Sequence, residues 1–341
     1  MSASLSQMPK KITQQQNNKA QFRKFFLFYY LLPPVVLFVA LCNLIFLHEQ
    51  FLQSLKKNVL NNSPFFVSAV SYPVLGEQKN PFSFEKSAKA QELSLSAQAA
   101  VVMEDDSQVL LFSKNPTTVF PMASTTKIMT ALTALQYFAL QNVLTVQADG
   151  LEGSVVGFKK GEKISVENLL YGLLLPSGND AAMTLSDNYP GGRLLFVEKM
   201  NENAKAYHLE QTHFEDAAGL SDKNQTSALD LARLSSVAIK NSTFARIVST
   251  KAIEIKNADG SVSYQLTNLN KLLGLDGVMG VKTGFTEEAG EVLATAKVEN
   301  GHRFILVVMK STDRFSDTKR LLTLISGNVS FLTFEPVFYS P

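Results

Sequence analysis

Hydrophobic and polar positions change rhythm several times along the chain. Phe25 to Leu47 is one unbroken run, 23 residues without a charge. Ala99–Glu104 and Gln108–Ser113 are short β-rich runs joined by Asp105-Asp106-Ser107, a pattern that predicts a hairpin. Helical periodicity then takes over. Ile128, Leu132 and Leu135 fall on one face with no Gly or Pro before Gln141, which predicts a helix over 124–140 entered just after Pro121. Gly150–Gly161 is loop-rich, and the apolar helical run Val166–Leu175 stops at Pro176. Helices are predicted over Ala181–Asn188, 193–208 and 226–240, the last two separated by the polar turn His213–Asn224. Strands follow at Gly277–Phe285, Glu291–Val298 and Arg303–Lys310, the last two joined by Asn300-Gly301, a strong hairpin signal. A helix over Asp313–Ile325 closes the pattern. Hairpin first, helices between and strands last predict an α+β domain over residues 96–328.

The unbroken apolar run reads as a membrane anchor. As a helix it is about 34 Å long, enough for a bilayer core of about 30 Å, and Pro33-Pro34 predicts a kink that membrane helices tolerate. Residues 1–24 carry Lys10, Lys11, Lys19, Arg23 and Lys24 and no acid, so the N-terminus is expected in the cytoplasm and everything after the anchor outside. A cleaved signal peptide would have an apolar region of roughly 7–15 residues and a small-residue cleavage site. Here the run is longer and His48-Glu49-Gln50-Phe51 follows it. Residues 48–95 are rich in Ser, Gln, Asn, Lys and Pro and read as a tether. Residues 329–341 form a tail whose apolar stretch Phe331–Tyr339 has no assigned role.

Composition narrows the chemistry. The chain has 341 residues, 45% of them hydrophobic, sufficient for one large domain or two modest ones. Net charge is +2 with both signs mixed, so nothing suggests a nucleic-acid surface. Cys42 is the only cysteine, so there is no internal disulfide framework. His208 and His213 lack the spacing that sets two zinc ligands on one helix face, and no metal or cofactor is expected.

Three short motifs carry candidate chemistry. In Ser124-Thr125-Thr126-Lys127, a lysine one turn beyond a serine can reach its hydroxyl and take its proton, provided burial or a neighbouring cation depresses the amine pKa. In Ser177-Gly178-Asn179, a hydroxyl and an amide in a tight turn can relay a proton and hold a carbonyl. In Lys282-Thr283-Gly284, a cation and a hydroxyl on one strand can grip a carboxylate beside a residue with no side chain. Ser-x-x-Lys recurs at Ser54–Lys57 and Ser83–Lys86, and Ser-x-Asn at Ser113, Ser186 and Ser326. An isolated match of either kind is an N-cap or an ordinary turn, so the weight lies in the three together.

In that order, and with the flanks Pro-Met-Ala-Ser-Thr-Thr-Lys-Ile-Met-Thr-Ala, Leu-Leu-Leu-Pro-Ser-Gly-Asn-Asp-Ala-Ala and Gly-Val-Lys-Thr-Gly-Phe-Thr-Glu-Glu-Ala-Gly, the motifs resemble those of serine-type D-Ala-D-Ala carboxypeptidases, the low-molecular-weight penicillin-binding proteins. The likeness covers about residues 97–326. It implies a five-stranded antiparallel sheet built from both ends of the domain, flanked by helices with an inserted helical region, as in the DD-peptidase/β-lactamase fold. It further implies that Ser124 attacks the bond between two D-alanines of a peptidoglycan stem peptide, that Lys127 accepts the serine proton, and that Ser177 protonates the leaving group. Asn179 would position the substrate amide. Lys282 and Thr283 would hold the terminal carboxylate, Lys282 also keeping Lys127 deprotonated by like charge, with Gly284 admitting the substrate. The N–H groups of Ser124 and Phe285 would form an oxyanion hole, and Arg314 would be a second carboxylate contact. β-Lactams are expected as covalent inhibitors. Many members of the family carry a second C-terminal domain and an amphipathic membrane helix; here the N-terminal anchor is expected to serve instead. An endopeptidase that cuts crosslinks, a β-lactamase, and a non-enzymatic wall-binding module are the alternatives. The β-lactamase would need a Glu-containing deacylation loop that this sequence lacks, and the binding module should have lost a motif residue.

Overall fold

The computed structural model describes residues 93–148 and 152–329. The basic tail 1–24, the anchor 25–47, most of the tether 48–95 and residues 330–341 lie outside the described residues. Among the described residues no helix is long and apolar enough to cross a membrane.

Five strands make the main sheet: β1 (Ala99–Glu104), β2 (Leu110–Lys114), β3 (Val278–Thr286), β4 (Gly290–Glu299) and β5 (His302–Ser311). Their order is β2-β1-β5-β4-β3 and every pairing is antiparallel. Sequence periodicity located all five. Strand β2 starts two residues later than expected because Gln108 has φ 59°, a turn conformation that no strand accepts. The β4–β5 turn has Asn300 and Gly301 both at positive φ, as the hairpin signal requires.

Strand β1 is apolar without alternation because both its faces are covered. Ala99, Val101 and Met103 join the larger core, with Val281, Ala294, Ala296, Ile305 and Val307. Ala100 and Val102 face the opposite core, with Leu293, Leu306 and Val308. Six helices accompany the larger core: α1 (Lys127–Tyr137), α2 (Val166–Leu174), α3 (Asn179–Asp187), α4 (Gly192–Ala206), α5 (Ala228–Lys240) and α6 (Ser242–Val248). Helix α7 (Arg314–Leu322) covers the other face through Leu321 and Leu322. Burying each such side chain stabilises the domain by about 1.5–3 kcal/mol.

Short polar side chains set the helix starts. Ser165 accepts a hydrogen bond from the Asn168 N–H, Ser227 from Asp230 and Asp313 from Ser316. Thr226-Ser227, read as the opening of a helix, instead belongs to a two-stranded ribbon, Gln225–Ser227 with Val119–Pro121, and Ser227 then caps α5. Two further ribbons, Val143–Thr145 with Lys163–Ser165 and Ala252–Lys256 with Ser263–Thr267, have no counterpart in the sequence reading, nor does α6.

Candidate active site

Between Pro121 and α1 the chain makes a 3₁₀ turn, Ala123–Thr126, where a continuous α-helix from 124 was expected. The cause is local. Ala123 has φ 46°, and the Thr125 hydroxyl donates back to the Met122 carbonyl at 2.5 Å, competing with the α-helical pattern. In 3₁₀ geometry residues three apart eclipse each other, which stacks Lys127 over Ser124. The Lys127 Nζ lies 3.0 Å from the Ser124 Oγ.

Lys127 is fully buried. Its Nζ also donates to the Asn179 Oδ1 at 2.8 Å and to the Ala218 carbonyl at 2.5 Å. Burial pushes its pKa down from 10.5 to about 7, against the attraction of Asp216 and Asp180. That drop corresponds to about 5 kcal/mol of bias towards the neutral amine. A neutral amine keeps two N–H donors and one lone pair. Asn179 and Ala218 take the donors, which leaves the lone pair for the Ser124 hydroxyl.

Lys282 lies close enough for the two ammonium groups to repel each other. Burial first, and then Lys127 and Arg314, push Lys282 well below its ordinary value. Its Nζ donates to the Thr283 carbonyl at 3.0 Å.

Helix α3 opens at Asn179, two residues earlier than the periodicity predicts, and this brings the second motif against Lys127. The Asn179 Nδ2 donates to the Glu152 carbonyl at 2.7 Å and its backbone N–H to Ser154 at 2.7 Å. Besides any hold on substrate, this side chain therefore ties Lys127 to the 152–154 loop. Asp180 fixes the next stretch, accepting from the N–H groups of Val156, Gly157 and Phe158 at 2.8–3.1 Å. Ser177 has φ 68°, and its Oγ is buried without a hydrogen-bond partner. An unpaired buried hydroxyl is a standing cost in a resting protein, and it is free to bond a ligand.

The third motif lies on β3, an edge strand by sheet order, with Lys282 and Thr283 buried and Phe285 55% exposed. Gly284 packs against the nucleophile turn. A Cβ there would stand 3.1 Å from the Met122 oxygen and 3.2 Å from the Ser124 nitrogen. The missing side chain thus first permits β3 to approach Ser124, a reason additional to room for substrate. Arg314, the first residue of α7, donates from Nη1 to the Gly284 carbonyl at 2.7 Å, while its backbone N–H bonds the Glu291 carboxylate at 2.8 Å. Its guanidinium braces the motif strand, a role the sequence did not suggest; the Nε has no partner.

One contributor escaped the sequence reading. The turn Asp216–Ser221 supplies the Ala218 carbonyl to Lys127 and the Ala217 carbonyl to the Thr130 hydroxyl at 2.6 Å. Gly219, at φ 80°, lies so close that a Cβ would sit 2.0 Å from the Ala123 oxygen. The available signal was Asp-Ala-Ala-Gly, an Asx-type turn inside the polar stretch. The competing Ser186-Asp187-Asn188 ends α3, as expected, and Asn188 bonds the Thr145 carbonyl. Among the described residues no cluster of three metal-ligating side chains occurs.

Comparison with known proteins follows the same motifs. Residues 85–313 match the family model described as D-alanyl-D-alanine carboxypeptidase. The D-alanyl-D-alanine carboxypeptidase DacF of Bacillus subtilis is 30% identical over 237 residues, which span 67% of this chain and 60% of that protein. A D-alanyl-D-alanine endopeptidase of Pseudomonas aeruginosa is 31% identical over 239 residues, 67% of this chain and 76% of its own length. The crystal structure of the Streptomyces K15 DD-transpeptidase superposes with a TM-score of 0.63 at 33% identity, over 67% of this chain and 97% of that one. With the Ser-x-x-Lys, Ser-x-Asn and Lys-Thr-Gly segments gathered around one buried amine, the chain belongs to the D-alanyl-D-alanine carboxypeptidase family of serine peptidases.

Proposed function

We propose that the protein hydrolyses the terminal D-Ala-D-Ala bond of peptidoglycan stem peptides through an acyl-enzyme on Ser124. One observation carries the reading: a buried, neutral-leaning Lys127 amine 3.0 Å from the Ser124 hydroxyl. Lys127 takes the hydroxyl proton as the Ser124 Oγ adds to the carbonyl carbon. The N–H groups of Ser124 and Phe285 receive the developing oxyanion. The proton then passes by way of the Ser177 hydroxyl to the departing D-alanine nitrogen, and the C–N bond breaks. Lys282 and Thr283 hold the substrate carboxylate, which restores the charge that burial withholds from Lys282. Water releases the acyl group and regenerates Ser124. A β-lactam presents the same carboxylate and a strained amide, and its acyl-enzyme persists.

The catalytic domain, residues 96–328, is held outside the cell membrane by a single-pass anchor at 25–47 with the N-terminus cytoplasmic. The uncharged run of 23 residues behind a basic tail supports this. The tether 48–95 sets the reach into the wall. The test of the chemistry is incubation with fluorescent penicillin alongside D-alanine release from a pentapeptide. Both should vanish in Ser124→Ala; equal labelling of the two proteins would refute the site. A second reading, cleavage of crosslinks between stems, is favoured by the likeness to an endopeptidase. Faster turnover of crosslinked dimers than of pentapeptide would select it.

A further inference from the structure

Asp216 belongs to none of the three motifs, yet its carboxylate organises the turn that touches Lys127. Oδ1 accepts from the N–H groups of Ala218 at 2.7 Å and Gly219 at 2.6 Å, and more distantly from Leu220 at 3.3 Å. Oδ2 accepts from the Ser221 N–H and the Asn224 Nδ2, both at 2.8 Å. The two shorter Oδ1 bonds have partners at the far ends of the same peptide units. The unit whose N–H is that of Gly219 has the Ala218 carbonyl, which accepts from Lys127. The unit whose N–H is that of Ala218 has the Ala217 carbonyl, which accepts from Thr130. Two peptide dipoles therefore run in parallel from an anion to helix α1. An anion at the N–H end polarises such a unit and strengthens its carbonyl as an acceptor.

We propose that Asp216 is a positioning residue that acts on Lys127 through the Ala218–Gly219 peptide unit, fixing the amine beside Ser124 and setting the pH at which it gives up its proton. The inference rests on the reading of Ser124 as the nucleophile. Burial would raise the Asp216 pKa, but the bonds from Ser221, Ala218, Asn224 and Gly219 outweigh it and keep the carboxylate ionised at neutral pH. The other charged groups around Lys127 are Asp180 on α3 and Lys282 on β3, with Arg314 beyond Lys282. Asp180 spends its carboxylate on the N–H groups of Val156, Gly157, Phe158 and Ala181, and among the described residues the only backbone carbonyl that the Lys127 amine bonds is that of Ala218.

The experiment measures the second-order acylation rate of the full-length protein in detergent by a fluorescent penicillin from pH 5.5 to 9. In the wild type the rate should rise with pH through a midpoint near 7. Asp216→Asn removes the anion that favours protonated Lys127, so the midpoint should fall by roughly half to one pH unit. The double variant Asp216→Asn/Asn224→Asp keeps an amide–carboxylate pair between the two positions and gives up only the Asn224 bond to the Ser221 carbonyl and the Ser221 N–H bond to residue 216. Its charge moves onto the Glu215 and Asp216 N–H groups that Asn224 now bonds, off the Ala218 amide. It should shift the midpoint in the same direction and serves if the single variant fails to fold. Thr130→Val, which cuts only the second peptide unit, should lower the rate without moving the midpoint. Unchanged midpoints in both Asp216 variants, with rates lowered equally at every pH, would overturn the inference. A wild type that is not acylated at any pH would instead defeat the reading on which it rests.

Discussion

Gly219→Ala tests the site through its tightest contact. Two terms set the size of the effect. An alanine held at φ 80° is destabilised by about 1–2 kcal/mol relative to glycine. The new Cβ would also meet the Ala123 oxygen at 2.0 Å and the Ala123 carbonyl carbon at 2.5 Å. Relieving that overlap means parting the Asp216–Ser221 turn from the nucleophile turn by about 1 Å, and strain of this kind costs about 1–3 kcal/mol. The expected loss of stability is therefore about 2–5 kcal/mol, read as a lowered urea midpoint. Catalysis should suffer more than stability alone explains, because the displaced peptide carries the Ala218 carbonyl that holds Lys127. A misplacement of about 1 Å at a reacting group lowers rates on the order of 100-fold. Acylation by fluorescent penicillin, measured well below the variant's unfolding temperature, should fall by about that factor. A folded Gly219→Ala protein that acylates at the wild-type rate would show that the contact between the two turns does not position the nucleophile.

Three further outcomes follow from the geometry. With the Lys127 pKa at about 7, the neutral amine is about half the population at pH 7 and about 1% at pH 5, so acylation should drop roughly 50-fold between them; a rate flat over that range would exclude Lys127 as the base. Lys127 also shapes stability, because its folded pKa lies below its unfolded one and the unfolded chain binds more protons between about pH 7 and 10.5. Stability should thus rise with pH across that window, and Lys127→Met should flatten the rise in urea midpoints; Lys282 adds a slope of the same sign, and an unaltered slope would contradict the burial effect. Ser177→Ala removes a hydroxyl that has no partner, so the free energy of unfolding from urea titration should change by less than about 1 kcal/mol while D-alanine release falls about 100-fold or more; full turnover would remove Ser177 from the proton path.

The sequence disclosed what local spacing governs. Ser124 and Lys127 are three residues apart, and one turn of either helix type brings them together, so the pair was legible even though the turn proved to be 3₁₀. The five strands were legible because β1, β4 and β5 are long apolar runs and the Asn300-Gly301 turn is distinctive. Contacts fixed by distant segments were hidden. The Ala218 carbonyl that holds Lys127 is a backbone atom and has no residue signature. Arg314 was named through the family resemblance as a carboxylate contact, but only the structure shows that it meets the Gly284 carbonyl. Helix α6 and the Ala252–Lys256/Ser263–Thr267 ribbon are too short for periodicity to separate from polar loop, and burial of Phe244, Ile247 and Val248 on the one and of Ile255 and Leu266 on the other in the larger core sustains them.

The place of β1, one strand in from the sheet edge, bears on how the domain is made. Synthesis delivers Ala99–Glu104 early, but its inner neighbour is His302–Ser311, almost the last strand to leave the ribosome. Until then β1 has only the β2 hairpin, and β3 has only β4. A nascent chain that already holds all three chemical motifs therefore still lacks the strand that joins them into one sheet. A product interrupted at Glu299 would carry every reactive side chain and no assembled centre.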